Sequence, residues 1–217
     1  MPDLLLHERA AWATGAVLIG IDEVGRGPLA GPVVAGAVCF ALEHPGIDGV
    51  RDSKLVKLSS KRQGLAEQIR SESLGWGLGA ASVREIANLN IRRATGLAMR
   101  RAIRRCRAML PAGTAVLLAV DGLQMPELDE QHQSIIKGDN ACHAIAAASI
   151  IAKVARDRLM WALAERRPGY GWASNVGYAT AEHTAALRAL GLTPHHRLQF
   201  CRTALGQHDL FEVPVAP

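Results

Sequence analysis

The chain has 217 residues, enough for one large domain with a buried core, and 49% of them are hydrophobic and 21% charged, which excludes a disordered chain. The longest uncharged run, residues 28–42, is interrupted by Gly and Pro and is shorter than the ~20 residues that span a bilayer. Because the N-terminus also lacks the basic and apolar order of a secretory signal, we expect a soluble, cytoplasmic protein with no membrane partner.

Apolar runs bounded by turn residues predict five strands, and helical periodicity with capping signals predicts four helices. The strands are expected at Ala16–Ile21, Val33–Phe40, Leu74–Ala81, Ala115–Val120 and Ser134–Lys137. The helices are expected at Ser59–Ser71, from the S-x-x-E capping box of Ser82 and Glu85 to about Met109, at Ala141–Arg166 and at Thr180–Leu190. Three strands followed by strands that alternate with helices predict an α/β fold, a mixed sheet with helices packed on it.

The sequence contains no repeat and no low-complexity linker, so a single domain over residues 1–217 is predicted. Its core is expected at about residues 15–168. Pro168 and Gly169 end the long helix, and a helical C-terminal flap is expected at about residues 169–205, before a tail at residues 206–217. Nothing in the sequence demands a second subunit, and a monomer is therefore expected.

The net charge of +5 is unevenly distributed. Between Arg92 and Arg107 there are seven arginines and no acidic residue. On a helix, Arg93, Arg100, Arg104 and Arg107 fall on one side. This pattern is typical of a strip that faces phosphates, and equally of a solvated helix face, and charge alone leaves both interpretations open.

Cysteine and histidine residues give no sign of a zinc site. The adjacent His195 and His196 have no matching Cys or His cluster, so a surface or capping role is expected for both. The four cysteines form no C-x-x-C motif and are expected to be small core residues without disulfides: Cys39, Cys106, Cys142 and Cys201.

The most informative segment is residues 19–34, IGIDEVGRGPLAGPVV, where a buried apolar strand runs into two adjacent carboxylates. Burying Asp22 and Glu23 at the end of a strand is costly unless a cation or a hydrogen-bond network offsets the cost. Adjacent residues on a regular strand point to opposite faces, so these two side chains are expected to share a site only if the backbone turns there.

The two glycines that follow give the chain freedom to turn. Gly25 and Gly27 permit positive φ and close approach to a ligand, and Arg26 between them carries a charge suited to phosphate. An acidic pair beside a glycine-flanked arginine predicts a metal ion and a phosphodiester in one site.

Two further acids occupy similar positions. Asp121 follows an apolar strand and precedes a glycine, and Asp139 follows Gly138 at the entry to the alanine-rich helix. Each alone is more typical of a turn or a helix cap, but strand-end carboxylates far apart in sequence can converge. All-oxygen ligation favours Mg²⁺ or Mn²⁺ over zinc, and such ions commonly act in pairs in phosphodiester hydrolysis. Asp157, between Arg156 and Arg158, is interpreted as part of a structural ion pair.

The sequence blocks together resemble the ribonuclease HII family. The resemblance runs from about residue 17 to about residue 200, in order and at compatible spacing. The blocks are IGIDEVGRGPLAGPVVAGAV, the DSK of residues 52–54, the VDG of residues 120–122, the KGD of residues 137–139, AAASIIAKVARDR and the GYATAEH of residues 177–183.

The resemblance implies a ribonuclease H-like α/β fold and cleavage of RNA in RNA–DNA hybrids. It also implies incision 5′ of a ribonucleotide embedded in duplex DNA, with a pair of Mn²⁺ or Mg²⁺ ions. The four acidic positions of the family fall on Asp22, Glu23, Asp121 and Asp139.

The family's substrate-binding positions are carried over in the same way. The element that reads the ribose 2′-hydroxyl falls on Gly25, Arg26 and Gly27, and the tyrosine that packs on the sugar falls on Tyr178. Contacts to the nucleic acid are expected from Lys54, Asn90 and Ser149. The sequence DSKLVKLS has two residues more than the family's usual DSKKLS, which affects the register after Lys54.

Two alternatives remain at this point. One is the sister branch, ribonuclease HIII, which carries an additional N-terminal substrate-binding domain; here the acidic strand begins near residue 17. The other is a hybrid-binding module without catalysis, which predicts the loss of at least one acidic position, whereas all four are present.

Overall fold

The structure is a computed structural model that describes residues 3–50 and 59–206 of the chain. The predicted contact residue Lys54, the two additional residues that follow it, and the tail from residue 207 lie outside the described residues. No helix in the described ranges is long and apolar enough to cross a membrane.

Five strands and eight helices are present in these ranges. The strands are β1 (Val17–Val24), β2 (Val33–Cys39), β3 (Gly75–Ala81), β4 (Val116–Asp121) and β5 (Gln133–Ile135). The helices are α1 (Leu6–Trp12), α2 (Ser59–Glu72), α3 (Val83–Leu89), α4 (Ile91–Arg107), α5 (His143–Arg166), α6 (Trp172–Asn175), α7 (Ala181–Leu190) and α8 (Leu198–Leu205). Single 3₁₀ turns occur at Pro126–Leu128 and Gly138–Asn140.

The strands form one mixed sheet in the order β3-β2-β1-β4-β5, which confirms the predicted α/β class. The strands β1, β2 and β3 pair antiparallel, whereas β4 runs parallel to both β1 and β5. Because β1 and β4 run parallel side by side, their carboxyl ends meet at the same edge of the sheet. That edge carries Asp22 and Glu23 on one strand and Asp121 on the next.

Glycines let the helices approach both faces of the sheet closely. On the face covered by α2 and α5, a Cβ at Gly20 would lie 2.2 Å from the carbonyl carbon of Ala144, and one at Gly36 would lie 2.4 Å from the carbonyl oxygen of Ala148. On the opposite face, which α4 covers, a Cβ at Gly79 would lie 2.0 Å from a main-chain oxygen of α4. Larger side chains would push the helices off the sheet.

The prediction of one helix from Ser82 to Met109 was wrong. The capping box of Ser82 and Glu85 is present, but α3 ends at Leu89, and Asn90 has φ 67°. The Asn90 side chain accepts hydrogen bonds from the first N–H groups of α4, at 3.0 Å and 3.1 Å, so it starts a second helix. The short helices α1, α6 and α8 were not predicted from the sequence.

The C-terminal helices pack around a third apolar cluster, which includes Leu29 and Ala30 from the β1–β2 connection, Met160 of α5, and Trp172 and Leu187. This contact joins α6, α7 and α8 to the segment that leaves β1. The four cysteines are buried and free, as predicted.

Candidate active site

A cavity of about 340 Å³ opens at the edge of the sheet where β1 and β4 end. Carboxylates from both strands line it together with side chains of α5 and of the segment before α7. The lining residues are Asp22, Glu23, Val24, Asp121, Ser149, Lys153 and Tyr178. Three of the four predicted acids and two of the predicted contact residues therefore lie at one place.

The carboxylate of Asp22 is the most deeply buried of the three, with 7% of the residue exposed. It accepts hydrogen bonds from the hydroxyl of Ser149 and from its neighbour Glu23 N, the latter over 2.7 Å. Burial raises the pKa of Asp22 well above its usual value, and the nearby charges of Glu23 and Asp121 raise it further. The site is thus built to favour a compensating positive charge next to Asp22.

Glu23 lines the same cavity, although both residues belong to β1 and pair regularly with β2. The expectation that a turn after Asp22 is needed to bring the two together was therefore wrong. The last three residues of β1, Asp22, Glu23 and Val24, all line this cavity. Burial raises the pKa of Glu23, and Arg26, whose Nη1 lies 3.2 Å from Glu23 Oε1, counteracts that rise.

Asp121 is hydrogen-bonded to the first residue of the 3₁₀ turn that carries Asp139. Gly138 N donates to Asp121 Oδ1 over 2.6 Å, which fixes one oxygen of this carboxylate. Asp139 itself is buried and its Oδ1 accepts from the side chain of Asn140 at 3.0 Å. Asp139 does not line the cavity with the other three acids, so its predicted catalytic role stays a prediction.

The loop after β1 has a positive φ at Gly25 but not at Gly27. Gly25 has φ +89°, and a Cβ there would lie 2.1 Å from Arg156 Nε, so both the backbone conformation and the space require glycine. Arg26 and Gly27 are exposed beside the cavity, and no atom lies within 4 Å of a Cβ placed at Gly27. A ligand can therefore approach the main chain of these two residues closely.

A buried network of polar side chains is hydrogen-bonded to the main-chain carbonyl of Tyr178. Thr193 N donates to His196 Nδ1 over 2.9 Å, so the proton of His196 is assigned to Nε2, which lies 3.1 Å from His183 Nε2. His183 Nε2 also accepts a hydrogen bond from Trp172 Nε1 at 3.0 Å. Because Nε2 is an acceptor, His183 carries its proton on Nδ1, which donates to Tyr178 O over 2.9 Å. Burial lowers the pKa of both histidines, that of His196 to about 3. The expected surface or capping role was wrong for His196.

Lys153 is a lining residue that the sequence analysis did not single out. It lies one helical turn after Ser149 on α5, and this i, i+4 spacing is the signal that would have found it. Lys153 Nζ lies 2.7 Å from Asp157 Oδ1, and Arg62 Nη1 lies 3.5 Å from Asp157 Oδ2. The structural ion pair predicted for Asp157 is confirmed, with these two partners rather than its sequence neighbours.

The arginines of α4 are largely engaged within the protein. Arg92, Arg101 and Arg107 form ion pairs with Glu127, Glu85 and Glu130, each at 2.7 Å. The guanidiniums of Arg100 and Arg105 donate to main-chain carbonyl oxygens. For Arg100 and Arg107, two of the four arginines of the predicted strip, these contacts favour the interpretation of a solvated helix face. Asn90 has the capping role described above, and a contact from it to nucleic acid stays a prediction.

Comparison with known proteins agrees with this architecture. Residues 19–203 match the family model for Ribonuclease HII. A Ribonuclease HII of Thiobacillus denitrificans is 50% identical over 196 residues, which cover 89% of this chain and 93% of that protein. The crystal structure of the ribonuclease H2 from Pyrococcus horikoshii has the same fold, with a TM-score of 0.66 and 22% identity over 88% of this chain and 98% of that one. The Bst-RNase HIII structure in complex with Mn²⁺ has a TM-score of 0.67 and 20% identity, over 89% of this chain and 70% of that one.

These findings define a hydrolase of the ribonuclease H class, an endoribonuclease that acts on RNA–DNA hybrids. Within that class, the chain belongs to the Ribonuclease HII family, as its motifs indicated.

Proposed function

We propose that this protein nicks duplex DNA on the 5′ side of a single embedded ribonucleotide, in addition to cutting the RNA strand of hybrids. The observation that carries this proposal is the cavity shared by Asp22, Glu23, Asp121 and Tyr178, with the exposed loop Gly25–Gly27 leaving β1 beside it. Such a site combines carboxylates for phosphodiester hydrolysis with a main chain that a sugar can approach.

The side chains of the cavity fit a hard divalent ion such as Mg²⁺ or Mn²⁺. The acidic side chains offer only oxygen atoms as metal ligands. Burial and the neighbouring carboxylates raise the pKa values of Asp22 and Glu23, and a bound cation would offset this repulsion between negative charges. Within the described ranges, no three acidic, His or Cys side chains are already gathered as a set that could hold a metal ion. Mg²⁺ is usually held by one or two carboxylates, with water and substrate phosphates completing its ligands, so the partial set suits an ion that arrives with the substrate.

In this proposal, Asp22, Glu23 and Asp121 hold the ions, and Asp139 helps to place the second ion or the attacking water. When bound there, a pair of divalent ions supplies activated water and stabilises the leaving oxygen. Because water and not the neighbouring 2′-hydroxyl is the nucleophile, the products carry 3′-hydroxyl and 5′-phosphate ends. Ser149 orients Asp22 through its hydrogen bond.

Recognition of the ribonucleotide is assigned to the loop Gly25–Gly27, through main-chain groups, and to Tyr178, which is 43% exposed and whose ring can pack on the sugar. Lys54, Asn90 and Ser149 are proposed as further contacts to the nucleic acid. A monomer, a cytoplasmic location and the division into core, flap and tail are proposed on the sequence alone.

The test uses an end-labelled DNA duplex with one ribonucleotide, incubated with the protein in Mn²⁺, Mg²⁺ or chelator, beside an all-DNA duplex and a long RNA–DNA hybrid. We expect one metal-dependent nick, 5′ of the ribonucleotide, with an extendable 3′-hydroxyl end and no cut in the all-DNA duplex. Cleavage of the hybrid without a nick in the ribonucleotide duplex would remove the proposed roles of Gly25–Gly27 and Tyr178. Equal cleavage in chelator would contradict the metal mechanism.

A further inference from the structure

Two buried arginines surround the loop between β1 and β2. Arg156 of α5 and Arg197 before α8 are 0% and 3% exposed. No carboxylate of the described residues lies within 4.0 Å of either guanidinium. Buried cations normally pair with acids, so the partners of these two require explanation.

All three guanidinium nitrogens of each arginine donate to main-chain carbonyl oxygens. Arg197 binds Gly25 O at 2.6 Å and Arg26 O at 2.8 Å, and donates to Gly31 O through two nitrogens at 2.9 Å and 2.7 Å. Arg156 binds Ala30 O at 3.0 Å and, through its other nitrogens, Pro32 O at 3.1 Å and Val176 O at 2.9 Å. The two side chains thus fix five carbonyls of the loop and connect it to the segment that leads to Tyr178.

The hydrogen bonds of Arg197 also determine where two N–H groups of the loop point. In a trans peptide unit, the C=O and the following N–H point in opposite directions, and all described peptide bonds are trans. Since Gly25 O and Arg26 O both face the buried guanidinium, the N–H groups of Arg26 and Gly27 point away from it. None of the described residues accepts a hydrogen bond from either N–H.

We propose that Arg197 is a positioning residue for recognition of the 2′-hydroxyl: by holding two successive carbonyls, it presents the N–H groups of Arg26 and Gly27 as a preformed pair of donors. This inference rests on the proposed function of the loop. Arg197 acts through the main chain and touches no substrate. A guanidinium is required because its planar fork bonds both carbonyls at once, whereas the ammonium of a lysine is a single point of charge.

The test compares Arg197→Lys with the wild-type protein and with Arg202→Lys, a control for an exposed arginine on α8. Binding is measured in chelator, so that no cleavage occurs, with a duplex containing one ribonucleotide and the same duplex made entirely of DNA. We expect Arg197→Lys to lose about tenfold of the preference for the ribonucleotide, the equivalent of one or two hydrogen bonds, while its affinity for all-DNA duplex changes less than about twofold. Arg202→Lys should match the wild type.

General destabilisation would weaken binding of both duplexes and leave their ratio unchanged, so a lower ratio reports positioning. An unchanged ratio in Arg197→Lys, with the wild type still preferring the ribonucleotide, would overturn the role of Arg197. Absence of any preference in the wild type would instead contradict the proposed function of the loop.

A measurement on the wild-type protein covers the case in which the variant does not fold. The amide protons of Arg26 and Gly27 should exchange rapidly with solvent in the free protein, and be protected by the ribonucleotide duplex but not by the all-DNA duplex. Slow exchange in the free protein, or equal protection by both duplexes, would overturn the proposal.

Discussion

Gly138 donates its main-chain N–H to Asp121 Oδ1 over 2.6 Å, and this hydrogen bond ties the loop after β5 to the end of β4. Asp121 lines the cavity that it shares with Asp22 and Glu23. Asp121 and Asp22 accept from neutral donors, this N–H and the Ser149 hydroxyl, whereas Glu23 has the charged partner Arg26. Their repulsion therefore persists in the protein alone, and it underlies the first two predictions.

Asp22→Asn should abolish cleavage and leave the protein at least as stable as the wild type. Loss of even an outer partner of a metal site typically costs about 10–100-fold, so loss of a central carboxylate should exceed this. The amide removes a buried charge that burial and its neighbours disfavour. Cleavage rates and urea unfolding measure the two effects.

Asp129→Asn is the matched control, because this exposed aspartate has φ 59°, a conformation that asparagine also tolerates. It should change neither property. Near-normal cleavage by Asp22→Asn would refute the site assignment.

The stability of the metal-free protein should fall as the pH rises above the ordinary range of carboxyl groups. The folded-state pKa values of Asp22 and Glu23 are raised, so the folded protein binds more protons than the unfolded chain between the unfolded and folded values. Mg²⁺ or Mn²⁺ should restore stability in the upper part of this range, where the carboxylates are ionised. Thermal unfolding across pH, in chelator and in each ion, measures this, and an equal effect of the ions on Asp22→Asn would contradict it.

Gly36→Ala should destabilise the fold, whereas Gly64→Ala should stabilise it. A Cβ at Gly36 would lie 2.4 Å from the Ala148 carbonyl oxygen, and overpacking of this kind typically costs about 1–3 kcal/mol. Gly64 lies within α2 with no atom within 4 Å of an added Cβ, so alanine should contribute about 0.5–1 kcal/mol through helix propensity. The free energies of unfolding in urea decide both, and a stable Gly36→Ala would show that α5 can move off the sheet.

The His183–His196 pair should make the protein acid-sensitive. The folded-state pKa of His196 is lowered to about 3, so the unfolded chain binds the additional proton first as the pH falls. The stabilising contribution is present above the unfolded value near 6.5 and is lost progressively toward the folded value. His196→Gln should flatten the pH dependence of unfolding between these limits, and His7→Gln on α1, outside the network, should not.

Much of the fold could be predicted because its signals are local. The five strands were expected within a few residues of their observed bounds, and the capping box at Ser82 and Glu85 lies where its spacing indicated. The break at Asn90 was missed because neither Gly nor Pro marks it, although an asparagine that caps the next helix was a usable signal. Strand periodicity failed at Glu23, because it places this side chain on the opposite face of β1 from Asp22, whereas both residues line one cavity.

Local patterns in the chain were enough to predict the α/β class and to place the acids at strand ends and the glycines in the β1–β2 loop, because periodicity, turns and caps depend on neighbours a few residues apart. Long-range packing was needed to show that Lys153 lines the cavity of the carboxylates, that Asp139 is not among its lining residues, and that Arg197 holds the loop at Gly25. These relationships join residues up to 172 positions apart. They depend on how helices pack on the sheet and on which buried polar groups find partners, and no local pattern in the chain specifies either.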